Sequence, residues 1–283
     1  MNQCVLPKLK AIGQCFARVP IILGLVASLS ACSQSSQKTL VLTGSSTVAP
    51  LAAEIAKRYE SEHPGVRIDV QTGGSSRGIA DARSKVADIG MVSRSLKSEE
   101  SDLTANTIAQ DGITVILHSD NPVKSLTNEQ IVGIYTDKIN NWQEVGGNNA
   151  PITVVNKAEG RSTLELFADY FKLETTAINA DTIIGDNEQG IKIVAGNPNA
   201  IGYVSVGAAE YNAENGTPIK LLPVNGVEAS IETVRTGTFP ISRPLNLVTL
   251  GDPKEISKEF IDFSQSSRVK DIIEEQYFVP IFQ

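Results

Sequence analysis

The feature of the sequence that most constrains its fold is a unit in which a strand-like run ends in a short hydroxyl-rich loop and then opens a helix. The unit occurs three times, with loop one at Gly44-Ser45-Ser46-Thr47, loop two at Gly73-Gly74-Ser75-Ser76-Arg77 and loop three at Gly160-Arg161-Ser162-Thr163. Backbone N–H groups at a helix start are unpaired and carry partial positive charge, so each loop suits an anion. One such loop is ordinary helix capping, whereas three of them indicate a site that encloses a small oxyanion.

Strand-like and helix-like segments alternate along the chain, which predicts an α/β fold with mostly parallel strands. We expect strands at 40–43, 66–71, 87–92, 112–117, 152–155, 201–204 and 248–250, and helices at 48–61, 79–84, 129–135, 254–263 and 268–276. The middle segment has its own alternation between turn-rich ends and is predicted to be an inserted domain. The predicted domain I comprises 39–118 and 242–283, the predicted domain II comprises 119–241, and two crossover strands join them. Loops one and two would then face loop three across a cleft that closes about a hinge.

The first 31 residues are typical of a signal peptide. A basic start is followed by an apolar run at 19–29, which is too short to span a bilayer, and then by small residues before Cys32. This arrangement resembles a bacterial lipobox, so residues 1–31 are predicted to be a lipoprotein signal peptide and Cys32 the lipidated mature N-terminus. The alternative is an ordinary signal peptide followed by a chance cysteine. The polar stretch 32–38 is expected to be a tether, and the protein to be exported and anchored by lipid on the periplasmic side or the cell surface.

The charge and the cysteines exclude several classes of function. The segment before Cys32 holds three basic and no acidic residues, so the mature chain has 22 Lys and Arg against 32 Asp and Glu, a net charge of −10. This charge argues against nucleic acid as a partner and implies that an anion is recognised by local dipoles and hydrogen bonds. Cys4 and Cys15 lie in the removed segment, so we expect no disulfide, and with two histidines we expect no metal site and no cofactor.

A buried tetrahedral oxyanion needs many hydrogen-bond donors, because an unpaired buried charge is strongly destabilising. A fourth loop, which follows the predicted strand 87–92, adds hydroxyl and guanidinium donors to the three loops above. The candidate donors are Ser46, Thr47, Ser75, Ser76, Arg77, Ser93, Arg94, Arg161, Ser162 and Thr163. Singly, each hydroxyl is more typical of a helix N-cap, and together they favour an anion site.

Loop two also matches the nucleophile elbow of α/β-hydrolases, because Gly74-Ser75-Ser76-Arg77-Gly78 lies between a strand and a helix. A hydrolase with Ser76 as nucleophile needs a late histidine, and the only two are His63 and His118. We therefore predict that the protein is not an enzyme and keep the serine hydrolase as an alternative.

The chain resembles the phosphate-binding proteins of bacterial phosphate ABC transporters over nearly all of its mature length. The similar segments are 44–50, 74–78, 87–90 with Ser93-Arg94, 130–135 with 139–142, 159–163 and the return strand at 239–244. The resemblance implies a two-lobe periplasmic-binding-protein fold of type II, with two mixed, mainly parallel sheets joined by two crossover strands. It also implies a monomer that closes on inorganic phosphate and delivers it to a permease.

By this resemblance, the ligand donors are the Ser46 hydroxyl, the Thr47 backbone N–H, Ser75, Ser162 and Thr163. The sequence departs from the family pattern in the fourth loop, where many members carry an aspartate that accepts the proton of hydrogen phosphate.

Here Ser93 and Arg94 stand in place of that aspartate, and a site without the carboxylate would not repel a fully ionised anion such as sulfate. Members also often have Arg in place of Lys157 and Ser in place of Arg161. We expect the anion charge to be compensated by Arg94 or Arg161, with Arg77 and Lys157 as further candidates. Two other functions stay open: a receptor for sulfate, molybdate or arsenate, and a surface lipoprotein that senses phosphate.

Overall fold

The computed structural model describes residues 37–282. The predicted signal peptide, Cys32 and most of the predicted tether lie outside the described residues. The strands are β1 (Lys38–Gly44), β2 (Val66–Thr72), β3 (Ile89–Val92), β4 (Leu103–His118), β5 (Thr153–Lys157), β6 (Thr182–Ile184), β7 (Ala200–Ser205), β8 (Ile219–Leu221), β9 (Ser242–Leu250) and β10 (Val279–Pro280). The helices are α1 (Val48–Glu62), α2 (Ser75–Arg83), α3 (Asn128–Tyr135), α4 (Ser162–Phe171), α5 (Asn187–Gly196), α6 (Val206–Glu214), α7 (Ile231–Arg235), α8 (Glu255–Ser264) and α9 (Lys270–Glu275).

The strands pair in the order β2-β1-β3-β9-β4-β7-β5-β6, and β8 and β10 also pair with β4. Strand β1 is parallel to β2 and β3, and β5 is parallel to β6 and β7. The two central strands, β4 and β9, run antiparallel to each other and to their neighbours. This is the arrangement expected of strands that carry the chain from one half of the molecule to the other and back.

Strand β4 belongs to both halves of the molecule. Its residues 103–112 pair with β9, and its residues 113–117 pair with β7, so its main partner changes between Gly112 and Ile113. We call lobe I the part built on β1–β3 with α1, α2, α8 and α9, and lobe II the part built on β5–β8 with α3–α7. The domain boundaries at 118/119 and 241/242 stay predictions.

Each lobe has its own apolar core. In lobe I, α1 buries Leu51, Ile55 and Tyr59, the stripe expected from their spacing of four residues, against the sheet and Phe260 of α8. In lobe II, Phe167 of α4 stacks on Tyr203 of β7 with ring centroids 3.8 Å apart. These cores fix α1 and α4 on their sheets, so the helix starts lie at the carboxyl ends of β1 and β5. Within residues 37–282, no helix is both long and apolar enough to cross a membrane.

Candidate anion-binding site

Loops one and two of lobe I meet loop three of lobe II in the cleft between the lobes. The backbone N–H of Ser76 donates to the carbonyl oxygen of Gly160 at 3.2 Å. Gly74 has a φ of +96°, and a Cβ placed there would lie 2.7 Å from the same oxygen. A side chain at this position would therefore push the loops apart, whereas glycine lets them touch.

Loop one is capped by Ser45 and not by the two hydroxyl residues that follow it. Ser45 Oγ accepts the N–H groups of Thr47 and Val48 at 3.2 and 3.3 Å. Ser46 Oγ donates at 3.5 Å to the carbonyl oxygen of Gly185 in lobe II. Capping by Ser45 leaves the hydroxyls of Ser46 and Thr47 to make contacts in the cleft.

Loop two is joined to the fourth loop through a buried hydroxyl. Ser75 Oγ accepts the backbone N–H of Ser93 at 3.2 Å, and the Ser93 hydroxyl accepts from Ser45 at 2.9 Å. Arg77 lies on the exposed side of α2, where it pairs with Asp81 at 3.1 Å and donates to the Thr72 carbonyl. The structure therefore brings Ser75 and Ser93 to loop one and directs Arg77 along its own helix.

The guanidinium at the centre of these hydroxyls belongs to Arg243, the second residue of β9. Its Nη1 donates to Thr163 Oγ1 of lobe II at 2.9 Å and lies 3.5 Å from Ser93 Oγ. Its Nη2 donates to Thr47 Oγ1 of lobe I at 3.3 Å. Arg243 is 2% exposed, so one buried cation contacts hydroxyls from both lobes.

Arg243 is oriented by a carboxylate on the neighbouring crossover strand. Its Nε and Nη2 donate to Asp111 Oδ2 at 3.0 and 2.8 Å. Asp111 Oδ1 accepts from Ser205 Oγ at 2.8 Å and from the Gly207 N–H at 3.3 Å. Both carboxylate oxygens are thus occupied, and the pair directs its cationic end toward the hydroxyls of the cleft.

The hydroxyls around Arg243 are set to donate. Thr47 Oγ1 accepts N–H groups from Arg243 and, at 3.4 Å, from Asn187 Nδ2. Thr163 Oγ1 likewise accepts from Arg243, and Ser75 Oγ accepts from Ser93. A hydroxyl whose oxygen already accepts an N–H keeps its own proton for another acceptor. The arrangement therefore suits a ligand that offers several acceptor atoms, as an oxyanion does.

Lys157 lies at the end of β5, close to this group, and is buried. Its Nζ donates to the Asp186 carbonyl at 2.7 Å and to Asn187 Oδ1 at 3.0 Å. Burial, together with the positive charge of Arg243, lowers the pKa of Lys157 to about 7. Asn187 links this amine to Thr47, so Lys157 belongs to the same polar network.

Arg94 contacts two carboxylates, one in each lobe. Its Nη1 and Nη2 each donate to Glu100 at 2.8 Å, and its Nε lies 3.1 Å from Glu165 Oε2. Burial alone would lower the pKa of Arg94, but the hydrogen bonds that it donates to Glu100 and the charge of Glu165 outweigh burial and raise the pKa. The charge of Arg94 is therefore matched by carboxylates of the protein.

Loop three contributes a buried hydroxyl and a guanidinium at the rim. Ser162 Oγ is buried and has no hydrogen-bond partner among residues 37–282. Arg161 borders a cavity of about 800 Å³ whose lining also includes Ser46, Thr47 and Asn187. Of the predicted residues, Thr47, Ser93 and Thr163 lie against Arg243, and Ser75 bonds Ser93. Ser46 and Arg161 line the cavity, and Ser162 precedes Thr163 at the start of α4.

Sequence reasoning did not single out Asp111 or Asn187, and it used Arg243 only as part of the return strand. The sequence did carry a sign of the Asp111–Arg243 ion pair. Asp111 is a lone carboxylate at the start of an apolar run, and Arg243 is a cation in the second crossover strand. The two residues are direct partners in the register of β4 and β9.

The hydrolase alternative lacks its histidine in the described part of the chain. Ser76 Oγ lies 3.4 Å from Glu165 Oε1. His63 stacks on Tyr59, and His118 Nδ1 accepts the N–H of Asp120, so neither ring contacts Ser76. Within the same residues, no group of three or more His, Cys, Asp or Glu side chains could hold a metal ion.

The family model described as a PBP superfamily domain matches residues 30–268. The chain belongs to this family. It is 36% identical to an ABC transporter substrate-binding protein from Clostridium perfringens solved with bound phosphate, with a TM-score of 0.79 and coverage of 87% of this chain and 100% of that one. It is 29% identical to the phosphate-binding protein PstS of Bacillus subtilis, over 88% of this chain and 82% of the relative. It is 30% identical to the phosphate-binding protein PstS of Borreliella burgdorferi, over 88% of this chain and 92% of the relative. The predicted two-lobe fold and the resemblance to phosphate-binding proteins are confirmed.

Proposed function

We propose that this protein binds inorganic phosphate in the cleft between its lobes and delivers it to the permease of an ABC importer. The observation that carries the proposal is the contact of buried Arg243 with Thr47 of lobe I and Thr163 of lobe II. Relatives named as phosphate-binding proteins, and one solved with bound phosphate, support phosphate among the oxyanions.

In this proposal, donors from both lobes surround the ion. The hydroxyls are those of Ser46, Thr47, Ser75, Ser93, Ser162 and Thr163, and the helix starts of α2 and α4 add backbone N–H groups. The Thr47 N–H donates to Ser45 Oγ, so we assign the contact of Thr47 with the ion to its hydroxyl. Arg243 lies beneath Thr47 and Thr163, and Asp111 holds it in place.

Arg243 would supply part of the positive charge for the ion. Because Asp111 already balances some of that charge, we assign further positive charge to Lys157 in the polar network and to Arg161 at the rim of the cavity. We assign no contact with the ion to Arg94 or Arg77, since carboxylates of the protein pair with both and neither donates to the hydroxyls of the cleft as Arg243 does. Of the expected sources of charge, the proposal keeps Arg161 and Lys157 and replaces Arg94 and Arg77 with Arg243.

Calorimetric titration of the mature chain with phosphate, arsenate, sulfate and molybdate tests the proposal. We expect tight binding of phosphate and arsenate, which share shape and protonation. Absence of heat with phosphate, together with tight binding of sulfate, would refute the phosphate assignment and favour a receptor for another oxyanion.

The protein acts in this proposal as a binding protein and not as an enzyme. A serine hydrolase that uses Ser76 would turn over an ester substrate, and Ser76→Ala would abolish that turnover. We expect no turnover in either form, measured with a chromogenic ester and with a chromogenic phosphate ester.

We further propose that the chain is exported and held to the membrane by a lipid on Cys32. Incorporation of a labelled fatty acid into the wild type, and its loss in Cys32→Ser, would be the expected result. Uptake of labelled phosphate by cells that lack the protein distinguishes delivery from sensing. With transporter levels held constant, loss of a delivery protein lowers the initial rate of uptake, whereas loss of a sensor leaves that rate unchanged.

A further inference from the structure

A group of charged side chains crosses the cleft beside the anion-binding site. Glu165, in the first turn of α4 in lobe II, lies 3.1 Å from Arg94 Nε and 2.9 Å from Lys97 Nζ. Its other oxygen accepts from Ser76 Oγ at 3.4 Å. Ser76, Arg94 and Lys97 all belong to lobe I, so one carboxylate of lobe II contacts three residues of the opposite lobe.

The charges on the two sides of the cleft are unequal before they meet. In lobe I, Arg94 is held by Glu100 through two hydrogen bonds of 2.8 Å, and Lys97 adds a second cation. This side therefore carries one net positive charge, and Glu165 supplies the matching negative charge from lobe II. Separation of the lobes would leave the net positive charge of lobe I and the Glu165 carboxylate of lobe II unpaired.

The burial of these side chains strengthens the attraction between them. Arg94 and Glu100 are 5% and 7% exposed, Glu165 is 26% exposed and Lys97 is 48% exposed. Charges shielded from water are screened less by solvent and salt than exposed pairs. A network of four charges with this burial is more stabilising than an isolated surface pair.

Glu165 lies one turn beyond the loop-three hydroxyls. Ser162 and Thr163 open the helix that carries Glu165, so the position of the carboxylate and that of the hydroxyls are fixed by the same rigid element. Contact of Glu165 with lobe I therefore places loop three against loops one and two.

We propose that Glu165 is a positioning residue that latches lobe II onto lobe I through Arg94 and Lys97, and thereby slows the release of the bound anion. The proposal rests on the proposed function for the identity of the ion and on the contacts above for the latch. Glu165 does not touch the ion in this scheme; it acts through the lobe contact, so it changes the dissociation rate more than the association rate.

The matched control lies on the same helix. Asp169 is one turn after Glu165, is 80% exposed and pairs with Lys172 of its own lobe at 3.4 Å. Glu165→Gln and Asp169→Asn remove the same charge from α4, but only the first removes a contact between the lobes.

The first experiment measures the dissociation of radiolabelled phosphate after a chase with unlabelled phosphate. We expect Glu165→Gln to speed dissociation roughly three- to tenfold and Asp169→Asn to change it less than twofold. Glu165→Lys should have a larger effect, and the exchange Glu165→Lys with Lys97→Glu should recover most of the wild-type rate. Equal rates in Glu165→Gln and the wild type, or no recovery in the exchange, would overturn the proposal.

A second experiment needs no phosphate and therefore separates the latch from the proposed function. Dyes attached at Val86→Cys in lobe I and Ile183→Cys in lobe II report the separation of the lobes, since both positions are exposed. In the ligand-free protein at low salt, Glu165→Gln should shift the population toward greater separation, and Asp169→Asn should not. An unchanged separation refutes the latch, whereas phosphate failing to bind to the wild type refutes only the proposed function.

Discussion

Arg243 donates two hydrogen bonds, of 2.8 and 3.0 Å, to one carboxylate oxygen of Asp111 across the two strands that join the lobes. The two residues are 132 positions apart and directly opposite in the register of β4 and β9. Asp111 is completely buried and Arg243 is 2% exposed. The cation that we assign to the anion is thus fixed on the two strands that join the lobes and does not lie on a loop.

Breaking this pair should affect stability and binding differently. Arg243→Met leaves the buried Asp111 carboxylate unpaired, and Asp111→Asn leaves the buried Arg243 guanidinium unpaired. We therefore expect each single variant to lower the free energy of unfolding by about 3–5 kcal/mol in chemical denaturation. The double variant should recover most of that loss, because no unpaired charge remains.

Phosphate affinity should follow a different pattern. The double variant lacks the charged donors to Thr47, Thr163 and the ion, so we expect its affinity to fall roughly a hundredfold, or about 3 kcal/mol. Calorimetric titration would contradict the role of Arg243 if the stable double variant bound phosphate as tightly as the wild type.

Ser162 offers a test that separates binding from folding. Its buried Oγ lacks a hydrogen-bond partner within the described residues, so Ser162→Ala should change the unfolding free energy by less than about 0.5 kcal/mol. Phosphate affinity should fall roughly tenfold through the loss of one donor to a charged acceptor.

The control for Ser162 is Ser264, which is equally buried but donates to the Phe260 carbonyl at 2.7 Å within α8. Ser264→Ala should lower stability by about 1 kcal/mol and leave phosphate affinity unchanged. The reverse pattern in the two variants would show that Ser162 has a structural role.

Gly74 tests the contact between loops two and three. A Cβ at this position would lie 2.7 Å from the Gly160 oxygen, so Gly74→Ala should weaken phosphate binding at least tenfold by preventing the loops from meeting. Gly65 is the control, since it also has a positive φ, of +93°, but a Cβ there would meet nothing within 4 Å. Both variants should lose about 1 kcal/mol of stability from backbone strain, and only Gly74→Ala should lose affinity. Equal affinities in the two variants would argue against the loop contact.

Lys157 should make phosphate binding depend on pH. Its folded-state pKa of about 7 is lower than its ordinary value of 10.5, mainly through burial. The folded protein therefore holds fewer protons on Lys157 than the unfolded chain does between these values. The resulting loss of stability is fully present below pH 7 and is relieved as pH rises from about 7 to 10.5.

A bound dianion should raise the pKa of Lys157 again, because an opposite charge favours the protonated amine. At pH 8, where most of the lysine is neutral in the free protein, we expect phosphate binding to take up as much as one proton. Calorimetry in two buffers with different ionisation enthalpies measures this uptake, which should vanish in Lys157→Met. Equal uptake in the two proteins would assign the proton to another group.

Some local features of the fold were predictable from sequence, although β6, β8 and α5–α7 were not among the expected elements, and contacts between distant residues were not predictable. The apolar spacing of α1 and the hydroxyl-rich helix starts depend on neighbours a few residues apart, so both were found. The first half of β4, residues 103–111, was missed because its few apolar residues neither alternate regularly nor form a continuous run as residues 112–117 do. Asp111 and Arg243 meet only through the register of two distant strands. Arg94 was expected to compensate the charge of the anion, because the sequence shows neither its hydrogen bonds to Glu100, six positions away, nor its contact with Glu165 of the other lobe.

Strand β4 runs unbroken from lobe I into lobe II, so a hydrogen-bonded ladder and not a free loop connects the lobes. Its 16 residues span roughly 50 Å at the rise of an extended strand. Asp111 lies beside Gly112, where the pairing partner changes, so Arg243 is held at the place where the chain passes between the lobes. In the proposed function, a rotation of a few degrees about this place would move the outer ends of the lobes much further than the residues around the ion. The capture of a single small ion would thereby change the shape of distant surfaces that the permease contacts.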